Sequence, residues 1–79
     1  MVAKAYVLVE TNMGKTLDVV GAIRRVEGVR SVYSVTGPYD IIAVVEGKDL
    51  NALGGIITSE FHTIDGISRT VTCLSVEST

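Results

Sequence analysis

The run from Val2 to Glu10 is rich in β-branched residues and reads as a first strand. Thr11-Asn12-Met13-Gly14 breaks it. From Lys15 to Glu27 the apolar positions are Leu17, Val19, Val20, Ala22, Ile23 and Val26. That spacing makes a broad helical stripe, with Lys15, Asp18, Arg24, Arg25 and Glu27 away from its centre and Gly28 as the stop. Val29 to Thr36 and Tyr39 to Glu46 read as the second and third strands, joined by a tight turn at Gly37-Pro38. Asp49 then offers an N-cap for a second helix, in which Leu50, Leu53, Ile56, Ile57 and Phe61 recur at three- and four-residue spacing. Gly54-Gly55 inside that helix costs about 2 kcal/mol of propensity, and predicts a close approach to the sheet or to a partner chain. Thr63 to Gly66 is a connection, and Ile67 to Glu77 is the fourth strand.

An internal echo supports this division. Val26-Glu27-Gly28-Val29 is matched by Ile64-Asp65-Gly66-Ile67, and Ala5 to Glu10 by Ile41 to Glu46. Each half reads strand, helix, acidic-Gly turn, strand. The order βαββαβ predicts an α+β, ferredoxin-like fold: a four-stranded antiparallel sheet with two helices on one face, as one domain over residues 1–79. The strands do not alternate between apolar and polar as a half-wet sheet should. Ile41, Ala43 and Val45 oppose Ile42 and Val44; Tyr6 and Leu8 oppose Val7 and Val9; Val29, Tyr33 and Val35 oppose Val32. Helices can cover only one face, so the other predicts burial against a second copy and hence a homodimer at least.

Size points the same way. A 79-residue chain buries only about 60–65% of its unfolded surface, which leaves a monomer marginally stable. Cys73 stands alone, so no internal disulfide compensates, and no His/Cys cluster offers a metal site. The net charge of −2 with dispersed Lys and Arg excludes nucleic-acid binding by this chain unaided. No stretch approaches the roughly 18 apolar residues of a membrane span, and the N-terminus lacks a secretory pattern. The expected setting is cytoplasmic.

Candidate chemistry centres on Asp40, just past the turn. It reads either as a turn acid accepting backbone hydrogen bonds or as the partner of a ligand ammonium group at an interface edge. Thr70 and Thr72, two apart on the last strand, present both hydroxyls on one face, although Thr is also simply a good strand former. His62 reads as a capping or surface residue, and Cys73 as a small core or interface residue. Gly14-Lys15-Thr16 is not a phosphate loop, because the first glycine of that spacing is missing at Val9.

Val32 to Ile42, the Phe61 to Ile67 link and Arg69-Thr70-Val71-Thr72 together resemble the RAM domain. This is the effector-binding half of the leucine-responsive/asparagine-operon (Lrp/AsnC) family of transcription regulators. The resemblance covers essentially the whole chain. It implies sheet-paired dimers that assemble into octamer-like rings and bind a small amino acid between dimers, without a cofactor. It places Gly37, Tyr39 and Asp40 on the family's turn motif, and Thr70 and Thr72 on its T-x-T. A carboxylate then takes the ammonium, and hydroxyls with free backbone N–H groups take the carboxylate. The family's helix-turn-helix is absent from these residues, which implies a stand-alone module that modulates a full-length regulator and is not an enzyme. Pro38 and Cys73 depart from the family's usual residues and leave the ligand a class of compound. Two other functions fit the fold. One is a small dimeric isomerase or monooxygenase with His62 and Asp40 in one cavity; the other is a purely structural oligomerisation module.

Overall fold

The computed structural model describes residues 2–76. In chain order come β1 (Ala3–Thr11), α1 (Thr16–Arg24), β2 (Val29–Ser34), β3 (Ile41–Gly47), α2 (Leu50–Ser59), a 3-10 turn (Phe61–Thr63) and β4 (Ile67–Leu74). The strands form one antiparallel sheet in the order β2-β3-β1-β4. This is the ferredoxin-like α+β plan, and the two echoing runs are its central strands, β1 and β3. Alternation puts Ala5, Val7, Val9, Ile41, Ala43 and Val45 under the helices, where all six are fully buried. Val19, Val20 and Ile23 of α1 meet them, together with Leu53 of α2 and Phe61.

The acidic-Gly part of the echo has a backbone cause. Gly28 and Gly66 adopt φ of 101° and 100°. Each carbonyl accepts an amide from the far end of a central strand: Glu46 N–H to Gly28 and Asn12 N–H to Gly66, both at 2.8 Å. A Cβ on Gly28 would lie 2.7 Å from Ile56 Cδ1 and 2.9 Å from the Glu46 carbonyl oxygen. Gly28→Ala is therefore expected to lower stability by about 2–3 kcal/mol in urea denaturation. For the sheet the Gly54-Gly55 expectation fails, since a Cβ at either position meets nothing within 4 Å in the chain. Those glycines are exposed and do not bring α2 to the sheet. Gly54→Ala is expected to raise stability by nearly the full helix-propensity gain, about 1 kcal/mol, in the same measurement.

Several boundaries differ from the sequence pattern. Helix α1 stops at Arg24 and not Glu27, because the Arg25 and Val26 amides bond back only three residues, to Ala22 and Ile23. Helix α2 stops at Ser59, and Phe61 belongs to the 3-10 turn that follows. Asp49 caps α2 as expected, its Oδ1 accepting the Ala52 amide at 2.8 Å. The link after β2 is wider than a tight turn: the Val35 amide donates to the Asp40 carbonyl at 2.9 Å, leaving Thr36 to Tyr39 as the loop. Tyr39 is thus outside β3. Pro38 has no amide to close a tighter turn. Strand β4 ends at Leu74, and Glu77 lies outside the described residues.

The grouping of β2 also needs correction. Its register with β3 shifts between Val29 and Ser31, so Val29 opposite Val45 and Val32 opposite Ala43 share the helix face. Tyr33 lies on the other, open face, opposite Ile42. Across that open face run two rows, Val71–Leu8–Ile42–Tyr33 and Cys73–Tyr6–Val44–Ser31. Residues of opposite charge stand in register beyond each row, Lys4 opposite Glu46 at one end and Glu10 opposite Arg69 at the other, without forming an ion pair. The face has an apolar centre and a charged rim.

Candidate functional site

Asp40 stands where three elements converge. By alternation the Thr11 amide, like the Val9 carbonyl, faces the β3 side of β1, while the Lys4 carbonyl and the Asn12 amide face β4. The Thr11 amide donates to Asp40 Oδ2 at 2.8 Å, and the Thr11 hydroxyl donates to the same oxygen at 3.1 Å. The Thr11 hydroxyl also meets the hydroxyl of Thr16, the first residue of α1, at 2.8 Å. The Asp40 amide donates to the Val9 carbonyl at 2.9 Å. Asp40 is half-buried, and among the described residues nothing donates to its Oδ1. The ion pair found among those residues, Arg30 with Glu46 at 3.1 Å, lies at the opposite end of the sheet. The carboxylate is fixed by neutral donors, and no cation among the described residues matches its charge.

Thr70 and Thr72 lie on the other side of β1, opposite Val9 and Val7, with their side chains toward the helices. The Ser75 amide donates to the Lys4 carbonyl at 2.9 Å, which sets the ladder phase. Backbone groups of Val71 and Cys73 therefore face β1, while those of Thr70 and Thr72 face outward from the sheet edge. Thr70 lines an open depression of about 220 Å³ with Phe61, His62, Ile64, Ile67, Ser68 and Arg69. Thr72 lines a different, apolar one of about 390 Å³ with Leu50, Leu53, Gly54, Ile57, Thr58 and Leu74.

One chain does not bring these residues together. Val9 pairs with Ile41 on one side and Thr70 on the other, so Asp40 and Thr70 flank β1 about 10 Å apart. An α-amino acid carries its two charges on one carbon and does not span that gap. Gly37 is exposed and Tyr39 half-buried, both on the loop leading into Asp40. His62 is exposed on the β4 side and shares its depression with Thr70, not Asp40. Cys73 is exposed on the open face opposite Tyr6. Thr11 and Thr16 escaped the sequence reading; no local spacing links Thr11 to an acid 29 residues away. Among the described residues no cluster of His, Cys, Asp or Glu could hold a metal, and no helix is long and apolar enough to cross a membrane.

Residues 4–79 match the family model described as the Lrp/AsnC ligand binding domain. The chain belongs to that family. Among its relatives, the HTH-type transcriptional regulator LysM of Sulfurisphaera tokodaii is 35% identical over 68 residues, which are 85% of this chain and 48% of the regulator. Homocitrate synthase of Sulfolobus acidocaldarius is 41% identical over 59 residues, 75% of this chain but 12% of the enzyme. The chain thus spans about half of one relative's length and about a tenth of the other's. The crystal structure of TTHA0845 from Thermus thermophilus superposes with a TM-score of 0.92 at 34% identity, covering 98% of this chain and 96% of that one. A Neisseria meningitidis transcriptional regulator in complex with L-Met has the same fold, with a TM-score of 0.84 at 16% identity over 95% of this chain and 50% of its own. Segments similar to this chain therefore occur within a transcription regulator and within an enzyme.

Proposed function

We propose that this Lrp/AsnC domain is an amino-acid-sensing module whose site is completed between subunits. Two copies pair through their open sheet faces, and dimers join further into a ring of the octamer type. The observation that carries the reading is the Asp40 carboxylate, fixed at the sheet end with Oδ1 reached by no donor among the described residues. A ligand ammonium fits that oxygen through a charge-assisted bond. The outward backbone groups and hydroxyls of Thr70 and Thr72 suit the ligand carboxylate, and a neighbouring chain supplies them where Asp40's own chain cannot. Gly37 and Tyr39 wall the ammonium end. The L-Met bound by the Neisseria regulator is in keeping with this ligand class. The module acts on the larger protein it joins, a full-length Lrp/AsnC regulator, and does no chemistry itself. A catalytic reading lacks its pair, since His62 and Asp40 lie on opposite sides of β1.

Thermal-shift and calorimetric titration with the twenty standard amino acids test this. A ligand at about one hundred times its Kd adds about 2.7 kcal/mol, roughly 10–20 °C in Tm for a domain this small. Asp40→Asn keeps an acceptor for the Thr11 amide while removing the charge, and Asp40→Ala removes both. Each is expected to abolish the ligand-induced shift, measured from its own baseline, with assembly intact. A retained response in Asp40→Asn would exclude the ammonium contact. An absence of response in the parent would leave the structural oligomer as the better reading.

A further inference from the structure

The hydrogen bonds around Asp40 have a direction. An ionised carboxylate only accepts, so the Thr11 hydroxyl hydrogen points at Asp40 Oδ2 over the 3.1 Å contact. With that hydrogen committed, the 2.8 Å contact between the two hydroxyls can only be Thr16 donating to Thr11. The result is a one-way chain from Thr16 through Thr11 to Asp40, joined at the same oxygen by the Thr11 amide at 2.8 Å. It ties the start of α1, the end of β1 and the start of β3 to one atom. Hydroxyls polarised in series strengthen one another, so the last bond depends on the first.

We infer that Thr11 and Thr16 are positioning residues for ammonium recognition at Asp40, an assignment that rests on the sensing function proposed above. Two features support it. All the donors converge on Oδ2, which fixes the carboxylate's rotation and leaves Oδ1 aimed away from the anchor. The anchor is also wholly neutral. A Lys or Arg holding Asp40 equally firmly would cancel the charge that an ammonium group needs, whereas hydroxyl and amide donors hold it and leave it anionic. Thr16 makes no contact with the ligand in this arrangement and acts through Thr11.

The test uses the full chain and the standard amino acids that bind the parent, each alongside its deaminated analogue, the same acid without the α-amino group. Thr16→Val removes the first donor and keeps the shape; Thr16→Ser keeps the donor. Thr11→Ser and Thr11→Val do the same one step nearer, and where a variant of one pair fails to fold by circular dichroism the other pair carries the test. Thr16→Val is expected to weaken binding of the amino acid roughly tenfold, while leaving the deaminated analogue within about twofold. Thr16→Ser is expected to restore the parent's preference for the amine. Equal weakening of both ligands means that Thr16 only supports the fold, and no weakening means that Asp40 is held without it; either result overturns the assignment and leaves the sensing function standing. If no standard amino acid binds the parent, the sensing function falls and the positioning role falls with it.

Discussion

Phe61→Ala is expected to lower stability by about 4 kcal/mol, more than any other single truncation in this chain. A 79-residue domain holds between about 4 and 12 kcal/mol in total, so the variant is expected to be largely unfolded at low protein concentration. Phe61 is fully buried and is the largest such side chain in the core. It sits in the 3-10 turn immediately after α2, whose last hydrogen bond runs from the Glu60 amide to the Ile56 carbonyl at 2.9 Å. The backbone on both sides is tied down and cannot collapse into the space left by the ring. The loss is therefore the transfer free energy plus the cavity. Phe61→Leu, which refills most of the volume, is expected to cost about 1–1.5 kcal/mol. Urea denaturation at one fixed protein concentration checks both, because assembly adds concentration-dependent stability. A cost below about 1 kcal/mol for the alanine variant would show that the core does not depend on this ring.

The contrast between Phe61 and Asp40 explains what the sequence could reveal. Phe61 follows Ile57 at the i, i+4 spacing of α2, so its burial was legible even though the helix ends two residues before it. The central strands were legible for a similar reason. Ala5, Val7 and Val9 and their counterparts Ile41, Ala43 and Val45 keep a strict two-residue period over the whole strand. Strand β2 breaks that period at Arg30 with a bulge, and arginine carries no turn signature, so the face of Val29 was misassigned. The environment of Asp40 depends on an amide and a hydroxyl 29 residues away, brought close by the pairing of β1 with β3. Local pattern carries no trace of that pairing. The two readings left open for this acid are also compatible once the oxygens are distinguished. Oδ2 accepts a backbone amide, though one from across the sheet and not from the turn, and Oδ1 is the atom that the proposed ligand ammonium would take.

Ile42→Asp is expected to have the largest effect on assembly. Ile42 lies in the middle of the open-face row, between Leu8 of β1 and Tyr33 of β2, on a central strand. In a single chain the face is partly exposed, so an aspartate there meets water and costs at most about 1 kcal/mol of strand propensity. The secondary structure is expected to survive, as read by far-ultraviolet circular dichroism. In the proposed dimer the same aspartate is taken out of water and set close to its symmetry mate. Desolvation without a partner and like-charge repulsion then act together, and several kcal/mol of penalty are expected. That is a shift of roughly a thousandfold or more in the dimer dissociation constant. Light scattering coupled to size exclusion is expected to find the 8.4 kDa monomer where the parent runs as an assembly. Lys4→Glu probes the rim of the same face. It is expected to weaken the assembly by only about 1 kcal/mol, and less at high salt, because rim charges stay hydrated. An unchanged mass for Ile42→Asp would move the dimer contact off the sheet face. The outward edges of the sheet, that of β2 and that of β4 with the outward backbone groups of Thr70 and Thr72, would then be the candidates to carry it.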